Sequence, residues 1–287
     1  MKIIKALIPV AAAALLGCNA ATPPDISYAP LTNPDLKDPD NPRKVFRVDM
    51  AEVEYRYPLK PADRMTITPD NIRDLEQEQI DQIYGRLTAG PIPAGVYEGQ
   101  LFFPRGVDGE ARLAEIIGGL PGRIVDKKVN LTELIGASLW KGKVFYRDER
   151  VLRNQIEDLR TLTPLLGNST EGIDTIEVPR RGFLGRFLDT RVWLLFPAKL
   201  YCGQSLLDGR RESVIIDYAY SDELPGYRER PDSLASRNAL GVRDEIRMVR
   251  PGFYLGRAYS NRMFLLNFTL YNRDVADRDS GAFLETG

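Results

Sequence analysis

Alternation of apolar and polar residues dominates the chain from Gly95 onward, and the period is two, the spacing of strands. Residues 96–103 read as a strand. A short helix over residues 130–139 leads into a strand at residues 143–146, and the mixed stretch 151–166 contains a helix. Strands resume at residues 192–201 and 213–220, joined through the turn dipeptide Asp208-Gly209. Residues 246–249, 253–259 and 263–271 follow, linked by Pro251-Gly252 and Ser260-Asn261, as an antiparallel meander. In its last strand Phe264, Leu266, Phe268 and Leu270 form one apolar face. Short strands, tight turns and few helices predict a mainly β protein, a closed antiparallel barrel or a strongly curved sheet.

Upstream the pattern differs. Residues 45–57 alternate as a strand through Phe46, Val48, Val53, Tyr55 and Tyr57. Thr68-Pro69-Asp70 then opens an amphipathic helix, with Thr68 as N-cap and Pro69 in the first turn. Ile72, Leu75, Ile80, Ile83, Tyr84 and Leu87 share its apolar face, and Gly90-Pro91 ends it. Residues 19–44 have no apolar period and carry Pro23, Pro24, Pro30, Pro34, Pro39 and Pro42, the composition of an extended, disordered tether.

The first residues have the anatomy of an export signal. Lys2 and Lys5 precede an apolar stretch over residues 6–16, too short for the about 20 residues that a bilayer crossing needs. Leu15-Leu16-Gly17-Cys18 resembles the lipobox of bacterial lipoproteins. That resemblance implies cleavage before Cys18, a diacylglycerol on its thiol and an acyl chain, such as palmitate, on its new amino group. Several chains anchor durably, whereas one is marginal. The partner is then a membrane of the bacterial cell envelope. In a Gram-negative host it is the outer membrane, since Asn19 follows the cysteine where an aspartate would not favour that passage. The organisation expected is a signal peptide (1–17), lipidated cysteine and tether (18–44), strand and helix segment (45–94), barrel domain (95–272) and flexible tail (273–287).

Composition narrows the chemistry. The formal charge is −1, and removing Lys2 and Lys5 with the signal moves it to −3, which speaks against nucleic acid as a partner. With Cys18 lipidated, Cys202 has no partner for a disulfide. The chain has no histidine, which removes the Ser-His and Cys-His pairs, the common zinc sites and the commonest general base. Ser138-Leu139-Trp140-Lys141 matches S-x-x-K without the accompanying motifs of penicillin-recognising enzymes. Asp38 with Asp40, and Asp277 with Asp279, read as solvated rather than calcium-binding. No metal, cofactor or catalytic residue is assigned. The run Arg180-Arg181-Gly182-Phe183-Leu184-Gly185-Arg186-Phe187 reads as a loop packing its two phenylalanines, with contact to lipid head groups as the alternative.

Polar residues inside the β region remain. Asp217 interrupts Ile215-Ile216-Asp217-Tyr218, and Arg243, Asp244, Glu245, Arg247 and Arg250 crowd one segment. Buried charges must be paired or face water. Either they form a structural ion-pair network, with Asp217 or Asp244 on Arg247, or they line a ligand cavity and grip a carboxylate or phosphate head group.

The ordered series Gly95-Val96-Tyr97-Glu98-Gly99, Leu139-Trp140-Lys141-Gly142-Lys143-Val144-Phe145, Ile216-Asp217-Tyr218, Arg243-Asp244-Glu245-Ile246-Arg247 and Tyr254-Leu255-Gly256 is similar to small bacterial lipocalin-like domains of the GXWXG type. Tyr97 stands where that family has tryptophan. The resemblance covers roughly residues 95–260. It implies an antiparallel lipocalin-like (calycin) β-barrel with an N-terminal amphipathic helix before it, and no catalytic residue. A barrel of about eight strands encloses one small hydrophobic or amphipathic ligand. The ligand-binding residues expected are Tyr97, Trp140, Asp217, Tyr218, Arg243, Asp244, Arg247 and Tyr254, with Trp193 and Phe253 as further wall residues. The alternatives are an envelope assembly protein acting through protein contacts, and an enzyme in which two of Asp217, Asp244 and Glu245 meet in an open cleft.

Overall fold

A computed structural model describes residues 21–31, 37–38, 41–45, 48–103, 140–162, 166, 170–181 and 187–286. Cys18, the segment 130–139 and residues 182–186 of the Arg-Phe run lie outside the described residues.

The strands begin with a small hairpin, β1 (Lys37–Asp38) and β2 (Asn41–Val45). The main sheet contains β3 (Gly95–Phe102), β4 (Trp140–Tyr146), β5 (Val151–Ile156), β6 (Thr175–Arg181), β7 (Phe187–Gln204), β8 (Glu212–Asp217), β9 (Val242–Arg250), β10 (Phe253–Ser260) and β11 (Met263–Tyr271). Its order is β5-β4-β3-β11-β10-β9-β8-β7, and β7 pairs back onto β5, closing an antiparallel eight-stranded barrel. Strand β6 extends the wall along the first half of the long β7. The mainly β barrel expected from the alternation is therefore the fold.

Closure gives every strand an inner and an outer face, and the meander β9-β10-β11 shows why both are apolar here. Inside lie Ile246, Tyr254, Leu266, Phe268 and Leu270 in one core. Outside, Val249, Phe253 and Leu255 pack under Ile72, Ile80, Ile83, Tyr84 and Leu87 of the helical segment. Strand β10 is buried at every position because a second layer covers its outer face. At an area cost of about 25 cal/mol per Å², each large side chain so covered contributes about 1.5–3 kcal/mol.

The helical layer departs from its sequence reading. The expected single helix is a 3-10 turn, Ile72–Asp74, followed by a longer helix, Gln77–Arg86. Thr68 and Asn71 bond each other's backbone N–H, and Glu76 with Gln79 caps the second start, so two caps divide one apolar face. The region read as a strand over residues 45–57 becomes helix α1 (Met50–Arg56), with α2 (Pro61–Thr66) and α3 (Gln77–Arg86) after it. Asp49 caps α1 by accepting from the N–H groups of Ala51 and Glu52, and Arg56 pairs with Glu52 one turn back. Only Val53 of that helix is buried, while Tyr55 is 88% exposed, so the apparent alternation recorded no buried face.

Two further expectations are corrected. Residues 21–31 of the proposed tether lie against the helical layer: Asn71 donates to Thr22 O, Gln82 accepts from Ala29 N–H, and Arg86 donates to Ser27 O. The segment 273–287, read as a flexible tail, forms a helix (Arg273–Leu284), capped by Asn272 accepting from Val275 N–H and seated through buried Ala276. Within residues 151–166 the described residues form strand β5, a 3-10 turn (Arg160–Leu162) and, at Leu166, helix; residues 163–165 lie outside the described residues.

Candidate functional site

One end of the barrel is filled and the other is hollow. Tyr97, Phe145 and Tyr254 stack edge-on in the filled end, with ring centroids 5.5 and 5.8 Å apart, and the Tyr254 hydroxyl donates to Pro91 O. In the hollow end a cavity of about 150 Å³ is lined by apolar groups that include Leu101, Trp140, Ile156, Leu240, Leu266 and Phe268. Between the two lies a polar floor built from Lys143, Asn154, Tyr218 and Asp244, all of which also face the cavity.

The floor begins with the sequence Trp140-Lys141-Gly142-Lys143. Ordinary alternation would turn Trp140 and Lys143 to opposite faces, three residues apart. The register of β4 on β5 slips between Trp140 and Gly142, and Gly142 adopts φ +135°, so both side chains face inward. A Cβ on Gly142 would lie 2.0 Å from the Tyr97 carbonyl oxygen, which only glycine tolerates. Gly99 serves the same motif differently: a Cβ there would stand 2.2 Å from the Trp140 ring. A second slip, between Ala258 and Tyr259, inserts Leu265 into β11, so that Leu265 and Leu266 both line the cavity. Phe264, expected inside, turns outward onto Arg257 and Tyr259.

Lys143 crosses the lumen. Its Nζ donates to Asn154 Oδ1 at 2.8 Å, to the Tyr218 hydroxyl at 2.7 Å and to Asp244 Oδ2 at 3.0 Å. Those three acceptors use all three ammonium protons. Trp140 Nε1 donates to Asn154 Oδ1 at 2.8 Å, and Asn154 Nδ2 donates to Phe196 O and to Tyr218. The Nζ also lies 5.3–5.4 Å from the ring centres of Trp140, Tyr218 and Phe268. Burial lowers the Lys143 pKa, against the pull of Asp244. Burial, and then the Asp244 charge, hold Tyr218 well above the usual tyrosine range, so its hydroxyl keeps its proton.

That proton has poor acceptors within the protein. Tyr218 Oη lies 3.3 Å from Asn154 Oδ1 and 3.4 Å from Asp244 Oδ2, both longer than ordinary O–H···O bonds. The floor therefore offers a ligand one donor, the Tyr218 hydroxyl, at the end of an apolar chamber.

The connection between β8 and β9 caps the hollow end. It carries 3-10 turns at Ser221–Glu223 and Ser233–Ala235 and one helical turn, α4 (Glu229–Asp232), and brings Leu234, Ala235 and Leu240 onto the cavity. Buried Asp232 fastens it, accepting from the N–H of Phe196 at 2.7 Å and of Arg228 at 2.9 Å. Phe196 itself bends β7 with φ +51°.

Of the residues singled out in the sequence, Trp140, Tyr218 and Asp244 meet at this site. Tyr97 and Tyr254 belong to the filled end and do not line the cavity. Asp217, Arg243 and Arg247 are on the outer face, because they differ by an odd number of places from inward neighbours. Asp217 accepts from the Tyr201 hydroxyl and Ala219 N–H. Arg243 donates to Gln204 O and pairs with Glu245. Arg247 is fully buried beneath α3, donating to the carbonyls of Tyr84, Asp208 and Arg211 and to Ser213 Oγ. The pairing of Asp244 or Asp217 with Arg247 is thus not made: Asp244 takes Lys143 and Arg247 approaches Asp208. Phe253 packs under the helices, Trp193 borders the core without lining the cavity, and Cys202 is exposed. Of the three carboxylates, Asp244 faces inward, while Asp217 and Glu245 face outward and are each taken by other groups, Asp217 by the Tyr201 hydroxyl and Glu245 by Arg243 and Leu206 N–H.

Lys143 and Asn154 were missed. A lysine between Gly142 and Val144, and an Asn-Gln pair inside β5, are polar residues in buried strands and carry the signal that finds them.

Fold and site together define a lipocalin-like β-barrel with a capped cavity. No protein-family model matches the chain, and no curated protein matches it in sequence. Among solved structures it is similar to a protein from Thermomonospora curvata, with TM-score 0.32 and 14% identity over 69% of this chain and 88% of that one. Among the described residues no helix is long and apolar enough to cross a membrane, and no three His, Cys, Asp or Glu residues cluster as metal ligands.

Proposed function

We propose that the chain is a lipid-anchored binding protein whose barrel holds a small hydrophobic or amphipathic molecule. The observation that carries this reading is the apolar cavity closed on a buried polar floor with an underused donor, Tyr218. A volume of about 150 Å³ accommodates a group the size of one aromatic ring or a short acyl segment. The ligand's polar end is an acceptor oxygen taking the Tyr218 proton, and its apolar body packs against Trp140 and Phe268, whose rings meet edge-on at 5.8 Å. The proposed anchor at Cys18 would hold this barrel on an envelope membrane, consistent with the lipobox-like run before it. The likeness of the Trp140–Phe145 motif to GXWXG-type domains supports the same reading, as its Trp140 and Lys143 line the cavity and Gly99 leaves room for the Trp140 ring.

Calorimetric titration with benzyl alcohol and with toluene tests the site. Benzyl alcohol binds about tenfold more tightly than toluene, a difference of one hydrogen bond, and Tyr218→Phe removes that difference. Equal affinity of the two probes, or binding unaffected by filling the cavity with Ala258→Phe in a variant that still unfolds cooperatively, contradicts the reading. For the anchor, a Cys18→Ser chain leaves the membrane fraction and fails to incorporate an alkynyl fatty acid; unchanged partitioning contradicts it.

A further inference from the structure

We propose, resting on the ligand-binding reading above, that the occupant is an apolar aldehyde or ketone and that Lys143 captures it as a protonated imine. Three features of the floor meet what this chemistry requires. The amine lines an apolar chamber at its closed end rather than facing water. Desolvation makes a lysine nucleophilic, and it lowers the pKa here. A proton acceptor and a proton donor stand on the same nitrogen: Asp244 Oδ2 at 3.0 Å and the Tyr218 hydroxyl at 2.7 Å.

The steps balance without an outside reagent. Lys143 Nζ passes a proton to Asp244, giving the neutral amine that the attack requires. The nitrogen lone pair forms a bond to the carbonyl carbon while the carbonyl oxygen takes the Tyr218 proton. The tyrosinate recovers a proton from the new ammonium, leaving a carbinolamine. Its C–O bond then breaks, the oxygen leaves as water with the proton held by Asp244, and a protonated imine remains beside the Asp244 carboxylate. The net change is an ammonium plus a carbonyl compound giving an iminium and water. The underused Tyr218 donor has its acceptor in the carbonyl oxygen, and the aromatic rings of Trp140 and Phe268 flank the cation formed.

The full chain is incubated with benzaldehyde and sodium cyanoborohydride, and the modified lysines are located by peptide mass spectrometry. Lys143, although buried, is reductively alkylated about tenfold faster than the partly exposed Lys141 and Lys199, and Tyr218→Phe slows it about tenfold. Labelling that follows exposure, with Lys143 the slowest, overturns the inference. Benzyl alcohol, which cannot form an imine, separates this failure from that of the binding reading. If benzyl alcohol binds in the cavity while Lys143 stays unmodified, covalent capture is wrong and the binding site stands; if neither occurs, both fall.

Discussion

Lys143 Nζ and Asp244 Oδ2 are 3.0 Å apart although their strands stand on opposite sides of the barrel, with β3, β11 and β10 between them on one path around the wall. Their side chains are 3% and 7% exposed. The ion pair therefore spans the lumen and divides it, with packed rings on one side and the capped cavity on the other. A spanning charge pair cannot slide past its neighbours as an apolar contact can, so it fixes the depth to which a ligand enters.

The pair also fixes stability. Lys143→Met leaves Asp244 buried without its cation and costs about 3–5 kcal/mol in urea unfolding, while Lys143→Met with Asp244→Leu costs less than the single change. A double variant as unstable as the two single losses added together would show that the two residues act independently.

Gly142 is the position on which the inward pairing of Trp140 and Lys143 depends. Gly142→Ala places a Cβ against the Tyr97 carbonyl at φ +135° and destabilises by about 3 kcal/mol. Its tryptophan emission, recorded with Trp193→Phe so that Trp140 alone reports, shifts to longer wavelength as the ring loses its place. Unchanged emission and stability would place the bulge elsewhere.

Arg247 serves the frame. With four hydrogen-bond partners and the Tyr84 ring 4.8 Å from its guanidinium, Arg247→Met lowers stability by about 3–5 kcal/mol. Under conditions where the variant remains folded, its affinity for benzyl alcohol is unchanged. A loss of affinity larger than about threefold would return this arginine to the ligand site.

The cap responds to pH through Asp232. Burial raises its carboxyl from 3.8 to about 6, against its two backbone hydrogen bonds and the nearby Arg153 and Arg228, which lower it. With the cap open and Asp232 in water, its pKa returns toward the ordinary value, so the closed form binds the proton more tightly. Acid thus favours closure between about pH 6 and pH 4, and closure weakens as pH rises through 6. Stopped-flow displacement of benzyl alcohol slows about tenfold between about pH 7 and pH 5, and Asp232→Asn abolishes the dependence. Faster release in acid would reverse the assigned sign.

Much of this was legible in the chain. Alternation located β10 and β11 of the meander closely and β9 over residues 246–249 of Val242–Arg250, because most of these positions keep the strand period. The apolar positions of the α3 region were also correct, from Ile72 to Leu87, although two caps cut the helix that carries them. The site was harder to read for a physical reason. Parity separates Asp244 from Arg243 and Arg247, and counting places along β9 is enough to see it. Parity fails at Gly142 and at Leu265, where a bulge reverses the faces, and no local pattern announces a bulge. Nor could a one-dimensional pattern show that Lys143 reaches across to a residue 101 positions away. The docked segments at residues 21–31 and 273–284 were hidden similarly, since much of what holds them comes from distant elements: Asn71, Gln82 and Arg86 bond the first, and Arg64 lies over Phe283 of the second.

The most direct test is a crystal structure of the protein soaked with benzyl alcohol. The account predicts the ring packed against Trp140 and Phe268, under Leu240 of the cap, with its oxygen within hydrogen-bonding distance of the Tyr218 hydroxyl. A cavity that holds only ordered water while the alcohol binds elsewhere, or not at all, would contradict it.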